Sequence, residues 1–200
     1  MCQLGCWEMG VYVMLMLCAY LRPGEGLKLR CGDLIAPTPE RPDCWSLLLF
    51  PQERGDRSKT GALDDSILLD TPWCRWMGAA LQMVAQGSSE AAVFSFDYVA
   101  FVKVFKKTSE LLGLRDLVPY QARHSGPSID RSRQLRSLDE ISRRGRWQSA
   151  KSVQRYERHA RLGQTLQNFS GQQRRCFDFA ERHLEELLGG RVSLGALQLP

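Results

Sequence analysis

No Cys-x-x-Cys pair occurs in this sequence; its seven cysteines stand singly. Neither a disulfide framework nor a zinc site follows from an odd, scattered set, and a reducing compartment suits it better. A membrane-spanning run is missing too. The uncharged, mostly apolar stretch Met9 to Leu21 is 13 residues long, short of the roughly 20 needed to cross a bilayer as a helix. A signal peptide would need a basic segment ahead of that stretch, and the only charge there is Glu8. The run therefore predicts a buried helix. Internal repeats and low-complexity tracts are also absent.

What remains is a chain of 200 residues, 44% hydrophobic and 24% charged. That composition is globular and long enough for one domain with a core, with or without a tail. The net charge is +5, and it is unevenly placed. Between Arg131 and Arg161 there are ten Lys/Arg against three Asp/Glu, or +7; the rest has 17 against 19, or −2. A localised basic patch is the footprint of a phosphate backbone, although a solvated helical face fits the charge alone equally well.

Periodicity and breakers predict a first helix over about Cys6 to Leu21, stopped at Arg22-Pro23-Gly24. Short strands are expected at Leu27 to Leu34, Trp45 to Phe50 and Ser66 to Asp70. Thr71-Pro72 opens a helix with an apolar stripe, and another spans about Asp97 to Leu112 before Gly113. Ser137-Leu138-Asp139-Glu140 has the spacing of a capping box and opens a short helix closing at Gly145. Ser149 opens the next. Gly163 to Gln173 reads as a linker, Arg174 to Leu188 as a last amphipathic helix, and the remainder as a frayed tail. Helix, small antiparallel sheet, then helices defines a mainly helical α+β fold.

Four residues then stand out by context and order. Arg22 lies in Tyr20-Leu21-Arg22-Pro23-Gly24-Glu25, and Arg123 follows 101 residues later in Tyr120-Gln121-Ala122-Arg123-His124-Ser125. Trp147 stands in Gly145-Arg146-Trp147, and Tyr156 follows it by nine residues in Val153-Gln154-Arg155-Tyr156. Over roughly residues 10 to 160 this ladder resembles the active-site motifs of the tyrosine recombinases, the phage-integrase family of DNA strand-exchange enzymes.

The chemistry suits the residue types. In-line attack on a phosphodiester builds negative charge on its non-bridging oxygens, and the planar guanidinium fork binds phosphate bidentately. Arg22 and Arg123 would form that clamp and, as nearby positive charges, favour the phenolate of Tyr156 as nucleophile. The resemblance implies a covalent bond from Tyr156 to a DNA 3′ end, rejoined without ATP, cofactor or metal. It implies that the leaving 5′ oxygen takes its proton from Lys59, in the connection between the second and third strands, with Lys28 as the rival. A surface loop lysine is the alternative reading of Lys59. Glu25 would orient the site and His124 would support it.

Two positions depart from the family pattern. Tyr120 stands where the family has His, and it can donate a hydrogen bond to phosphate but cannot shuttle protons near neutrality. Trp147 stands where most members have His; its indole N–H can donate to a phosphate oxygen. Gly126-Pro127 is also unexpected inside a helix. Arg131, Arg133, Arg143, Arg144, Arg146, Lys151 and Arg155 are the expected DNA contacts.

Residues 1–162 are thus expected to be a catalytic domain lacking the family's N-terminal DNA-clamp domain, followed by a linker and C-terminal helix. Site-specific recombination, or integration of a mobile element, on double-stranded DNA is the implied function. A tetramer on DNA, assembled through the C-terminal helix, is the implied homo-oligomer. An intracellular location with the DNA and no membrane partner go with it. A decayed recombinase that only binds DNA, and a type IB topoisomerase-like enzyme, are the competing readings.

Overall fold

The computed structural model describes residues 1–42, 44–55, 61, 63–114, 116–157, 163–164 and 167–189. The apolar run forms α1 (Trp7–Cys18), which is buried on several sides through Val11, Tyr12, Leu15 and Met16. A helix apolar all round belongs inside a core. Here α3 (Met77–Val84), α5 (Tyr120–Ser132) and α8 (Gly171–Leu188) pack against it. Tyr12 sits edge-on to Phe94, Phe96 and Phe101, with its hydroxyl donating to the carbonyl of Pro23. That hydrogen bond joins α1 to α2 (Pro23–Leu27).

The first helix is shorter than expected. It ends at Cys18, and Tyr20 takes a left-handed conformation with φ 54°. This turn points the Tyr20 carbonyl at Arg123 and its hydroxyl at Asp130. Arg22-Pro23-Gly24, expected to stop the first helix, instead starts the second, because proline is well suited to a first helical position.

The sheet is antiparallel in the order β1 (Leu34–Ile35), β2 (Ser46–Leu49), β3 (Asp65–Leu68). Leu47 pairs with both Leu34 and Ile67, and alternation buries Leu47, Leu49 and Ile67 on the core side. The expected first strand, Leu27 to Leu34, shrinks to its last residue plus Ile35. Asp33 folds back to accept from the Arg30 N–H at 2.8 Å, closing a 3-10 turn over Cys31–Asp33. Arg30 instead bridges Ala92.

A 3-10 turn at Pro72–Cys74 precedes α3, and Asp97 caps α4 (Tyr98–Leu111) by accepting from Ala100 N at 2.7 Å. Ser137 and Glu140 form the expected capping box on α6 (Leu138–Gly145). After α7 (Ala150–Gln154) the chain tightens into a 3-10 turn, Arg155–Glu157, that carries Tyr156. The expected linker is partly helical: residues 163, 164 and 167 are in helix, and α8 begins at Gly171 behind a Ser170 cap. No helix among the described residues is long and apolar enough to cross a membrane.

Helix α5 runs straight through Gly126-Pro127, the pair unexpected inside a helix. A Cβ on Gly126 would lie 1.8 Å from the carbonyl oxygen of Leu17. Glycine is therefore what lets α5 cross the end of α1 backbone to backbone. Proline at 127 forgoes only one hydrogen bond, the one an N–H there would give to the Arg123 carbonyl.

Candidate active site

The site gathers where α2, α5, the end of α6 and the Arg155–Glu157 turn meet. Arg22 is the residue just before α2, and Glu25 in its first turn folds back on it. The Glu25 carboxylate accepts from the Arg22 backbone N–H at 2.7 Å and from its guanidinium at 2.5 Å. The guanidinium of Arg146 reaches the same carboxylate at 2.6 Å, and that of Arg123 lies 3.6 Å away. One acid thus holds three guanidinium groups in register. Burial pushes the Glu25 carboxyl up, but the Arg146 charge and the Arg22 hydrogen bonds outweigh it and hold it below the ordinary range. Asp65, on β3, faces Arg146 at 3.5 Å.

Arg123 is fully buried. Its two terminal nitrogens donate to the carbonyls of Tyr20 and Gly145, and its guanidinium carbon lies 4.7 Å from the centre of the Trp147 ring. Its Nε, also buried, has no hydrogen-bond partner among the described residues. Burial lowers its pKa to about 10, with Glu25 opposing the shift, so the group stays charged at neutral pH. The expected free fork for phosphate is therefore not what Arg123 presents here; its fork is spent on backbone carbonyls and covered by an aromatic face.

Helix α6 ends so as to place Trp147. Arg146 takes a left-handed conformation with φ 55°, turning the chain back on itself. Trp147 N–H then donates to Ser142 O at 3.0 Å and the Ser142 hydroxyl to Trp147 O at 2.8 Å. A Cβ on Gly145 would come within 1.8 Å of the indole, so glycine there admits the ring.

Tyr156 lies beyond Trp147, with ring centres 5.5 Å apart, and is only 4% exposed. Its hydroxyl is 2.7 Å from Nδ1 of His124, one residue after Arg123 on α5. The His124 ring stacks on Trp147 and meets Tyr120 edge-on at 5.0 Å. Burial raises the Tyr156 pKa to about 12 against the opposing charges of Arg155 and Arg123. The expected activation by arginines is real in direction but smaller than the cost of burial. Burial, Arg155 and Arg123 together lower His124 to about 4, leaving a neutral imidazole. Tyr120 is 44% exposed, at the rim.

The remaining expected residues divide by surroundings. Lys59 falls outside the described residues, and Lys28 is exposed. Arg143, Lys151 and Arg155 are exposed near the site, while Arg131 pairs with Glu157 and Arg133 with Glu181. Arg146 is 7% exposed and held by Glu25, deep in the site rather than on a basic face. Arg144 does not match its expected role as a DNA contact. It donates to the carbonyls of Cys18 and Leu68 and pairs with Asp70, which ties α6 to the sheet and the end of α1.

Sequence reasoning missed the support beneath the site. Asp130 on α5 accepts from Tyr20 Oη at 2.6 Å, Trp73 Nε1 at 2.9 Å and Arg136 Nε at 3.0 Å. Spacing from Arg123 by seven residues, two helical turns, is the one signal that could have placed Asp130 on the same face.

The same fold occurs in the crystal structure of the XerH site-specific recombinase bound to difH substrate in a pre-cleavage complex. That match has a TM-score of 0.52 and 13% identity, covering 82% of this chain and 46% of that one. This chain thus spans less than half the length of that recombinase chain. The fold, mainly helical with a small three-stranded antiparallel sheet, is tyrosine-recombinase-like, as the sequence implied. No protein-family model matches the chain, and no curated protein matches it.

Proposed function

We propose that residues 1–162 are a tyrosine-recombinase catalytic domain that breaks and rejoins double-stranded DNA through a 3′-phosphotyrosyl bond to Tyr156. The observation that carries this reading is convergence: Arg22, Arg123, Trp147 and Tyr156 come from four separate segments and pack into one cluster. Arg22 and Arg123 stabilise the phosphorane-like charge, and Trp147 and Tyr120 donate to phosphate oxygens. Lys59 protonates the leaving 5′ oxygen, the role the family resemblance assigns to it. Arg143, Lys151 and Arg155 supply contacts to the DNA backbone beside the cluster. Arg123 acts as a buried charge beneath the phosphate rather than as an open fork, since its terminal nitrogens are held by the carbonyls of Tyr20 and Gly145. Site-specific recombination or integration is the cellular role this chemistry serves. Assembly into a tetramer on DNA belongs to the same reading.

The test is covalent capture from a pool of nicked duplexes of randomised sequence, in EDTA and without ATP. A protein–DNA adduct that survives denaturation supports the enzyme. The burial of Tyr156 favours a second reading, a chain that binds DNA without cutting it. Retarded DNA on a native gel with no covalent adduct is the result that reading predicts.

A further inference from the structure

Tyr156 Oη must lose its proton to attack phosphorus, and the acceptor has to stand within hydrogen-bond reach of it. His124 is the residue whose ring nitrogen touches the reacting oxygen. Its Nδ1 lies 2.7 Å from Tyr156 Oη, within reach for direct proton transfer. The ring lies parallel to Trp147 at 6.0 Å between centres and edge-on to Tyr120 at 5.0 Å. These aromatic neighbours restrict its rotation, and the Nδ1 contact to Tyr156 sets its direction.

We infer that His124 is a catalytic residue, the general base that accepts the Tyr156 hydroxyl proton on Nδ1 as the phenol oxygen attacks phosphorus. The inference rests on the reading of Tyr156 as nucleophile. In the step, the Tyr156 Oη–P bond forms, the bond from P to the 5′ leaving atom breaks, and the phenolic proton passes to His124. The leaving atom takes its proton from a separate donor or departs as an anion. Facing His124 are Arg123 and Tyr120 from its own helix, the Trp147 ring after α6, and Arg155 and Tyr156 from the 3-10 turn. Arg123 and Arg155 keep the imidazole neutral at rest, and therefore able to accept. A bound phosphodiester places a negative charge against those arginines, which raises the proton affinity of His124 when it is needed.

The experiment uses duplexes with one 5′-bridging phosphorothiolate flanked by randomised sequence. The sulfur leaves as a thiolate without protonation, so the rate of adduct formation reports activation of the nucleophile alone. His124→Asn keeps a hydrogen-bonding atom near the Nδ1 position but cannot take up the proton. Adduct formation by H124N, at an unchanged melting temperature, is expected to fall by roughly 10²–10⁴-fold. The wild-type rate should also drop as pH falls through an inflection at or above about 4, and that inflection should vanish in H124N. A wild-type adduct on Tyr156 that H124N forms at the same rate, with the same pH profile, overturns the inference and leaves the nucleophile standing. No wild-type adduct, or an adduct that survives in Tyr156→Phe, overturns the nucleophile itself.

Discussion

Arg146 and Glu25, 121 residues apart in the chain, meet at 2.6 Å with both side chains 7% exposed. This ion pair ties the end of α6 to the start of α2, and so fixes Trp147 relative to Arg22. Removing Arg146 leaves Glu25 paired with Arg22 and beside Arg123, so the loss is that of one buried charged hydrogen bond, about 1.5–3 kcal/mol. Arg146→Ala is expected to lose stability on that scale in urea unfolding, whereas loss below 1 kcal/mol would mean that the pair is open in solution.

The same carboxylate sets an acid limit. Its folded pKa lies below the ordinary Glu value, so its contribution is present above the unfolded pKa and is lost as pH falls through the folded one. Melting temperature should decline through that window in the wild type. Glu25→Gln should start lower and decline less steeply there, and parallel curves for the two proteins would contradict the assignment.

Two glycines separate a close backbone crossing from open space. Gly126→Ala puts a methyl into the Leu17 carbonyl and should cost at least about 1–3 kcal/mol. Gly24, in α2, has nothing within 4 Å of its would-be Cβ, so Gly24→Ala should be neutral or stabilise by about 0.5–1 kcal/mol. Equal effects at the two positions, measured by chemical denaturation, would show that α5 does not cross α1 as described.

Helix α8 packs on its own domain: Leu188 is buried and one of its methyls would stand 3.2 Å from a Cβ on Gly10. Leu188→Ala should therefore destabilise the monomer by about 2–5 kcal/mol. An unchanged melting temperature would indicate that the helix leaves this surface in solution, as docking onto a neighbouring subunit requires.

Much of this arrangement was legible because it rests on local rules. The Ser137–Glu140 capping box and the apolar character of α1 are each written within one helical turn or one stripe. The motif residues were legible through order and spacing, and the structure brings Arg22, Arg123, Trp147 and Tyr156 together. Long-range partners were not. Nothing near residue 130 announces that Asp130 receives Tyr20, Trp73 and Arg136, and a basic run does not distinguish exposed Arg143 from Arg144, its neighbour, bonded to Cys18 and Leu68. The first strand falls elsewhere because Leu27 to Leu34 has strand-like composition, while the hydrogen bond that bends it, from the Arg30 N–H to the Asp33 carboxylate, is a side-chain choice.

Exposure makes the basic residues separable by experiment. Neutralising Arg143, Lys151 and Arg155 together should weaken DNA binding at low salt and flatten its salt dependence by about one unit of log–log slope per residue in contact with phosphate. Fold and melting temperature should be unchanged, since these side chains are exposed. An unaltered salt slope would place the DNA on another face.

Tyr156 is the proposed nucleophile, the residue on which the phosphodiester is held. The direct measurement is peptide mass spectrometry of the adduct captured from nicked randomised duplexes after nuclease and protease digestion. The predicted result is a nucleotide joined through its 3′ phosphate to Tyr156, present in the wild type and absent from Tyr156→Phe. A nucleotide on any other residue, or an adduct formed equally by the phenylalanine variant, would contradict it.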